Sequence, residues 1–454
     1  MRTLTRVVVE SLASAALAAC HIKSEVVMGI VVSVRGGGSY FNRKHRPGSE
    51  ERMTFLSPFT ALCTVGFFAR LSYALARSPV LPLFALYLGA GSEAIGFAVG
   101  ISTVTGIFFK LPFGALSDVI GRKRTMLIGL VVFAVLPFAY LFIDNYQALI
   151  VVRFVHGLAT AIYGPVSMAV VADVAGERRG ELLSWFSSVT IIGNLLGAPL
   201  GGFILNTAPG GAGPAMGDFH IAYLASGFAG IMALVLALGV LNNDEKKEKH
   251  HSLKEAHARF VAGIKEVASD RRVIITSNME GLQNMTVGAL EAFLPIYAVT
   301  VAGLDALQAG LLWGVQVVAT IISKPIMGNI SDKYGRKPLI AAGLFLCAIS
   351  FGAIPHLLNF YVLGIAAMVF GLGEALVTSS SAALIVDVCK EKHFGAAMGA
   401  FGTIFDIGHA AGPILAGFLI ARLDYRLTFG IMAAMLLAAL PVFVATIKIN
   451  QAPA

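Results

Sequence analysis

The chain has 454 residues, of which 57% are hydrophobic and only 13% charged. No water-soluble domain of that length could bury so much apolar surface in one core, so the composition excludes a soluble protein and points to a polytopic membrane protein. The formal net charge is +8; in a membrane protein that excess reports orientation rather than nucleic-acid binding, because Lys and Arg gather in cytoplasmic loops.

Residues 1–52 precede the first apolar segment. Leu-Ala-Ala-Cys at 17–20, behind Arg2 and Arg6, has the form of a lipoprotein cleavage site, but Glu10 interrupts the apolar run. The stretch reads as a tail or an over-long start, with Met53 directly before the first helix. Apolar segments follow near 56–86, 94–116, 125–143, 147–172, 182–206 and 220–241. Six more lie near 273–300, 305–328, 338–357, 360–386, 395–421 and 426–446. Each has the ~20 residues that a helix needs to cross ~30 Å of hydrocarbon, and each is too long for a barrel strand. The expectation is an all-α integral membrane protein of twelve transmembrane helices. Bundles at 53–241 and 273–447 would be joined by a charged linker, 242–272, and followed by a tail, 448–454.

Charge sets the orientation. Arg122, Lys123 and Arg124 follow the second segment, and Arg178 and Arg179 the fourth. The linker holds Lys246, Lys247, Lys249, Lys254, Arg259, Lys265, Arg271 and Arg272. Lys333, Arg336 and Lys337 follow the eighth segment, and Lys390 and Lys392 the tenth. The alternate loops hold almost no basic residues, Arg422 and Arg426 excepted. This alternation predicts that both termini are cytoplasmic.

A charged phrase occurs twice, as "GALSDVIGRKR" from Gly114 and "GNISDKYGRKP" from Gly328, 214 residues apart. The same offset takes Lys110 to Lys324, Asp118 to Asp332, Gly121 to Gly335, Arg122 to Arg336 and Lys123 to Lys337. It also takes Gly157 to Gly371 and Asp173 to Asp387, while an offset of 215 takes Gly193 to Gly408 and Gly197 to Gly412. The chain therefore reads as two parallel six-helix repeats about an axis along the membrane normal, an arrangement that transporters use to bind substrate near the midplane. Gly114 and Gly328 are expected to let a neighbouring helix approach closely. Asp118 and Asp332 are expected to precede the helix after each loop, where the dipole and the adjacent Arg favour an acid.

Two six-helix halves with Gly114, Leu116, Asp118, Gly121, Arg122, Lys123 and Arg124 between the second and third segments resemble the major facilitator superfamily. The second copy has Ile330 in place of Leu and Pro338 in place of the last basic residue. The resemblance implies that the first copy latches the halves together on the cytoplasmic side, with Asp118 and Arg122 making and breaking contacts in each cycle; the alternative is that they only fix topology. "RFVHGLATA" at 153–161 is similar to the fourth-helix signature linked to proton transfer in drug efflux members, which makes Arg153 a coupling candidate, or else a structural tie to a carbonyl. "GNLLGAPLGG" at 193–202 resembles the fifth-helix Gly-Pro motif of antiporters, with Ala198 at the proline position and Pro199 one place later. Gly412 and Pro413 keep that core in the second half. Gly193, Gly197 and Gly201 at fourfold spacing predict a close-packing face.

Ionisable residues inside spans are costly and usually functional. Arg70, Tyr73 and Arg77 share a face of the first segment, and Glu280, Asn284 and Glu291 a face of the seventh, beside Gln283. The offset maps Arg70 onto Asn284 and Arg77 onto Glu291, so these residues lie at equal depth. They are cavity or substrate candidates, and Arg77 with Glu291 is the expected outer gate; the alternative is that each charge is met within its own half. Glu374 and Asp406 are the first candidates to carry a coupled proton, ahead of Glu291, because a desolvated carboxylate binds a proton more readily. Neutralisation by an Arg, by Lys110 or by Lys324 is the alternative. His409 reads as a packing residue.

The four cysteines, Cys20, Cys63, Cys347 and Cys389, have no ligand spacing. His250, His251 and His257 read as a solvated loop rather than a metal site. No phosphate-binding loop or nucleophile–His constellation is legible, so neither a cofactor nor an enzyme activity is expected, and energy should come from an ion gradient. Three functions fit: proton-coupled export of small amphipathic molecules, uptake or exchange of an anionic metabolite favoured by Arg70 and Arg77, or a non-transporting scaffold or sensor. A monomer in a bacterial cytoplasmic membrane is the expected setting.

Overall fold

The computed structural model describes residues 58–175, 178–206, 213–240, 271–388 and 394–446. The expected tails, all of the linker but Arg271 and Arg272, its three histidines, Cys20 and Cys389 lie outside these residues. Among the described residues the chain is helical: α1 Pro58–Leu75, α2 Val80–Tyr87, α3 Ser92–Ile120, α4 Arg122–Ala139, α5 Tyr146–Ala175, α6 Arg179–Leu205 and α7 Met216–Val240. A second set follows: α8 Arg271–Thr300, α9 Ala306–Tyr334, α10 Arg336–Ala353, α11 Phe360–Val388, α12 Phe394–Arg422 and α13 Tyr425–Thr446. Short 3-10 turns extend α4 and α10.

The first segment is not one helix. Pro79 lacks the N–H that a continuous helix needs and disfavours helical backbone before it, and the chain breaks between α1 and α2. Arg77 sits in that break. The start of α9 is better determined: the Asp305 carboxylate accepts from the Gln308 N–H at 2.7 Å while the Gln308 side chain accepts from the Asp305 N–H at 3.0 Å, a reciprocal cap.

Eleven described helical spans are long and apolar enough to cross a membrane, against the expected twelve. The exception is α8, which has length to spare at 30 residues. Every residue from Gln283 to Ala298 is buried, Asn284 and Glu291 included. A helix enclosed by protein on all sides needs no lipid-compatible surface, so its sequence carries polar residues. The outer faces of the other helices do carry one: Phe108, Val135, Phe203, Phe228, Leu238, Ile322 and Ile365 stand exposed.

The repeat governs backbone and packing alike. The left-handed glycines form two pairs at the 214-residue offset, Gly89 with Gly303 (φ 75° and 67°) and Gly121 with Gly335 (φ 98° and 90°). Only glycine adopts such φ values at no steric cost. Helices α3 and α12, and α6 and α9, form the seams between the first set and the second. A Cβ on Gly96 would lie 2.1 Å from the Pro413 carbonyl oxygen, and one on Gly310 would lie 2.5 Å from that of Ala198. Likewise Gly417 meets the carbonyl of Ser92 at 2.3 Å and Gly202 that of Ala306 at 2.5 Å. Each pair maps onto the other under the repeat. Gly193, Gly197 and Gly201 lie against α1 and α2, and Gly412 lies against Met285 of α8. Pro199 meets the Cβ position of Gly314 at 3.1 Å.

Expectations about the repeated phrase meet different outcomes. The loops shrink to single residues, Gly121 and Gly335, so Arg122, Lys123, Arg124, Arg336 and Lys337 begin helices. Asp332 stands in the last turn of α9 and meets the guanidinium of Arg336, the adjacent Arg that was expected to favour it, but no side chain caps the start of α10. Gly114 and Gly328 make no close approach: the nearest atom to a Cβ on Gly114 is 4.0 Å away, and Gly328 has nothing within 4 Å. No atom of the other set lies within 4 Å of a Cβ at either position.

Candidate functional site

The ends of the bundle differ. At the Gly89–Gly303 end the sets are sealed by the glycine seams and by an ion pair between Arg422 and Glu93 at 2.6 Å. Toward the Gly121–Gly335 end, Gly106, Gly328 and Gly402 meet nothing of the opposite set within 4 Å. Between the two ends lies a cavity of about 810 Å³, lined by both sets of helices.

Its sealed floor is built by Arg77, Glu291 and His409. The Arg77 Nε lies against Oε1 of Glu291, an ion contact rather than an aligned hydrogen bond. Arg77 Nη2 is 2.7 Å from Nε2 of His409, which is 3.1 Å from Oε2 of Glu291. The break at Pro79 frees Arg77 from the helix surface to reach across to α8 and α12. The Ser78 hydroxyl also donates to the Glu291 carbonyl at 3.4 Å, tying the same break to α8.

Higher in the cavity, Lys110 of α3 donates to Asp406 of α12 at 2.5 Å, a second ion pair across the seam. Glu374 of α11 accepts from Gln316 at 2.5 Å and from Thr320 at 3.1 Å, both on α9. Arg70, Tyr73, Asn194, Trp313, Lys324 and Phe405 complete the working wall.

The sequence model of the Major Facilitator Superfamily matches residues 62–320 and 285–454, both sets of helices. The chain belongs to the major facilitator superfamily. The multi-drug resistance efflux pump PmrA of Streptococcus pneumoniae is 22% identical over 363 residues, 77% of this chain and 86% of PmrA. The quinolone resistance protein NorA of Staphylococcus aureus is 19% identical over 343 residues, 75% of this chain and 84% of NorA. The crystal structure of the nucleoside transporter NupG superposes with a TM-score of 0.69 at 14% identity, covering 87% of this chain and all of NupG.

Within this superfamily member the residues singled out from sequence fall into three places. Arg70, Tyr73, Arg77, Glu291, Glu374 and Asp406 line the cavity. Asn284 does not: it is buried in α8, donating to the carbonyl and carboxylate of Glu280 at 3.1 and 3.3 Å. Arg153 is fully buried, bonded to the Ser102 hydroxyl at 2.8 Å with its guanidinium 5.5 Å from the Tyr73 ring centre. Tyr73 thus stands between Arg153 and Arg77, whose guanidinium is 5.7 Å from the same ring. The charged phrase forms a third cluster: Arg122 bonds Asp173 and Arg336 bonds Asp387, while the Asp118 side chain lies outside the described residues.

Sequence reasoning missed His409 as a site residue and the neutral partners Gln316 and Thr320. The helical period places Gln316, Thr320 and Lys324 on one face of α9, but nothing in the sequence says that this face meets Glu374.

Proposed function

We propose that the chain is a proton-coupled exporter of small amphipathic compounds, working by alternating access across a bacterial cytoplasmic membrane. The carrying observation is a cavity walled by both helix sets, closed at one end by polar contacts between them, while Gly328 and Gly402 toward the other end meet nothing of the opposite set. In this reading α8 crosses the membrane as the twelfth span, the termini are cytoplasmic and the cavity faces the cytoplasm. The two sets act as lobes that rock about the cavity, with the Arg77–Glu291 contact as the outer gate. In the opposite state Gly114 and Gly328 would make the close approaches that they lack here.

A relative that is a multi-drug resistance efflux pump favours export, and the aromatic rings of Tyr73, Phe186, Trp313 and Phe405 on the cavity wall suit apolar bodies. Glu374 is the better proton carrier of the two acids first considered. Asp406 already has Lys110 as counter-ion, whereas Glu374 has neutral donors and can change charge without breaking an ion pair. Accumulation of a fluorescent amphipathic dye by cells expressing the protein tests the reading. Collapsing the proton gradient should raise accumulation. Lower accumulation would mean import, and no change relative to cells lacking the protein would refute transport of this class.

Arg70 favours a second reading, transport of an anionic compound. It lines the cavity beside Tyr73 and Tyr163, and among the described residues no carboxylate pairs with it. The same assay with an acidic fluorophore distinguishes the two.

A further inference from the structure

Nε2 of His409 has two neighbours with opposite demands. Arg77 Nη2, at 2.7 Å, carries only protons and needs an acceptor. Glu291 Oε2, at 3.1 Å, carries only lone pairs and needs a donor. One ring nitrogen cannot serve both. With the proton on Nδ1, Nε2 accepts from Arg77 and its lone pair faces the carboxylate. With a proton on Nε2, it donates to Glu291 and meets the Arg77 N–H head-on. Nδ1 is itself buried without a hydrogen-bond partner, so neither neutral tautomer is fully satisfied.

The surroundings leave His409 as the group that responds. On its own helix, Phe405 lies parallel to the imidazole with centres 6.4 Å apart, and Asp406 is engaged by Lys110 of α3. From the first segment come Arg77 and the Tyr73 ring, with Arg153 of α5 behind that ring. From α8 come Glu291 and the glycine backbone at Gly288, packed on the His409 carbonyl. Farther along the α3–α12 seam, Glu93 and Arg422 pair with each other. The imidazole lines the cavity, so water reaches it from that side.

We propose that His409 is the proton-responsive member of the sealed gate: closure of Arg77 onto Nε2 and binding of a proton at Nε2 compete. Water delivers the proton to the Nε2 lone pair. The imidazolium then donates to Oε2 of Glu291, and Arg77 Nη2 loses its acceptor; Arg77 keeps only the Nε contact with Oε1, on a carboxylate it now shares with a second cation. Linkage makes the effect reciprocal: acid loosens the gate, and closing the gate expels the proton into the cavity. A carrier built this way releases a proton on the cavity side each time its far side closes. The proposal rests on the transport reading for its consequence, but the gate can be tested without any substrate.

The test places spin labels at Tyr87 and Leu423, exposed positions on opposite sets at the sealed end, in a full-length variant whose four cysteines are replaced by serine. The inter-label distance is read from about pH 8 to about pH 5. The wild-type gate should shift toward a longer-distance population as pH falls. His409→Gln supplies an amide oxygen for Arg77 and an amide N–H for Glu291 with no titration, so it should hold the short distance throughout. An acid response in H409Q equal to wild type, or none in wild type, overturns the proposal. If H409Q is not recovered folded, Arg77→Gln replaces it: removing the guanidinium removes the competition, and a persisting acid response again overturns the idea. Failure of the dye assay with a normal H409Q result would sink the export reading and leave the gate standing.

Discussion

Arg122 donates from one nitrogen to both carboxylate oxygens of Asp173 at 2.5 Å. Arg336 makes the equivalent bond to Asp387 at 3.0 Å, with the same separation in sequence and the same 214-residue offset. Arg336 also bonds the Ser331 hydroxyl at 2.6 Å and contacts Asp332. These contacts tie α4 to α5, and α10 to both α9 and α11, each within one set.

Because Asp173 and Asp387 are exposed, each pair contributes only about 0–1 kcal/mol. Asp173→Asn should lower the thermal midpoint of the detergent-purified protein only slightly. Arg336→Ala, which removes three partners, should lower it more. Equal effects would show that the hub around Arg336 adds nothing to a single exposed pair.

Changing Arg77 leaves the buried Glu291 carboxylate without its guanidinium, a cost of about 3–5 kcal/mol to the sealed state, while changing Glu291 leaves the part-exposed Arg77 facing the cavity at a smaller cost. Arg77→Glu and Glu291→Arg should each abolish most transport, and the double swap should recover a measurable fraction. Dye export from whole cells reads this directly. A double swap no better than either single change would remove the pair from the gate.

The glycine seams predict opposite effects for two similar substitutions. A Cβ at Gly96 collides with the Pro413 carbonyl, whereas one at Gly328 meets open space. Gly96→Ala should force the sealed end apart, and Gly328→Ala should leave this conformation intact while opposing the other one. Hydrogen exchange at the backbone between α2 and α3 should rise in the first variant and not in the second.

Arg153 separates stability from activity. It is fully buried, and two of its nitrogens lack hydrogen-bond partners, so replacing it by an apolar chain of similar length removes a costly buried charge and should not destabilise the protein. If its guanidinium is there to position Tyr73 and through it Arg77, Arg153→Met should not lower the thermal midpoint and should reduce transport. Unchanged transport would assign Arg153 to packing alone.

Glu374→Gln keeps an acceptor for Gln316 and Thr320 but cannot carry a proton. Dye efflux down its own concentration gradient should persist in proteoliposomes, while acceleration by an imposed pH gradient should fall to what the His409 gate supplies. Acceleration equal to wild type would take Glu374 out of the coupling path.

Membrane class, the apolar segments, the doubled phrase and the equal depth of Arg77 and Glu291 were legible without coordinates; their pairing was one of two alternatives, and the structure decides it. They depend on length, hydropathy and a fixed offset, which are properties of the chain itself. The polarity of α8 was legible too, but its meaning was not: only packing shows that Gln283 to Ala298 see no lipid. The one-residue turns at Gly121 and Gly335, the gap around Gly114 and Gly328, and the place of His409 between Arg77 and Glu291 belong to the tertiary structure. They depend on contacts between helices far apart in the chain, which no local periodicity encodes.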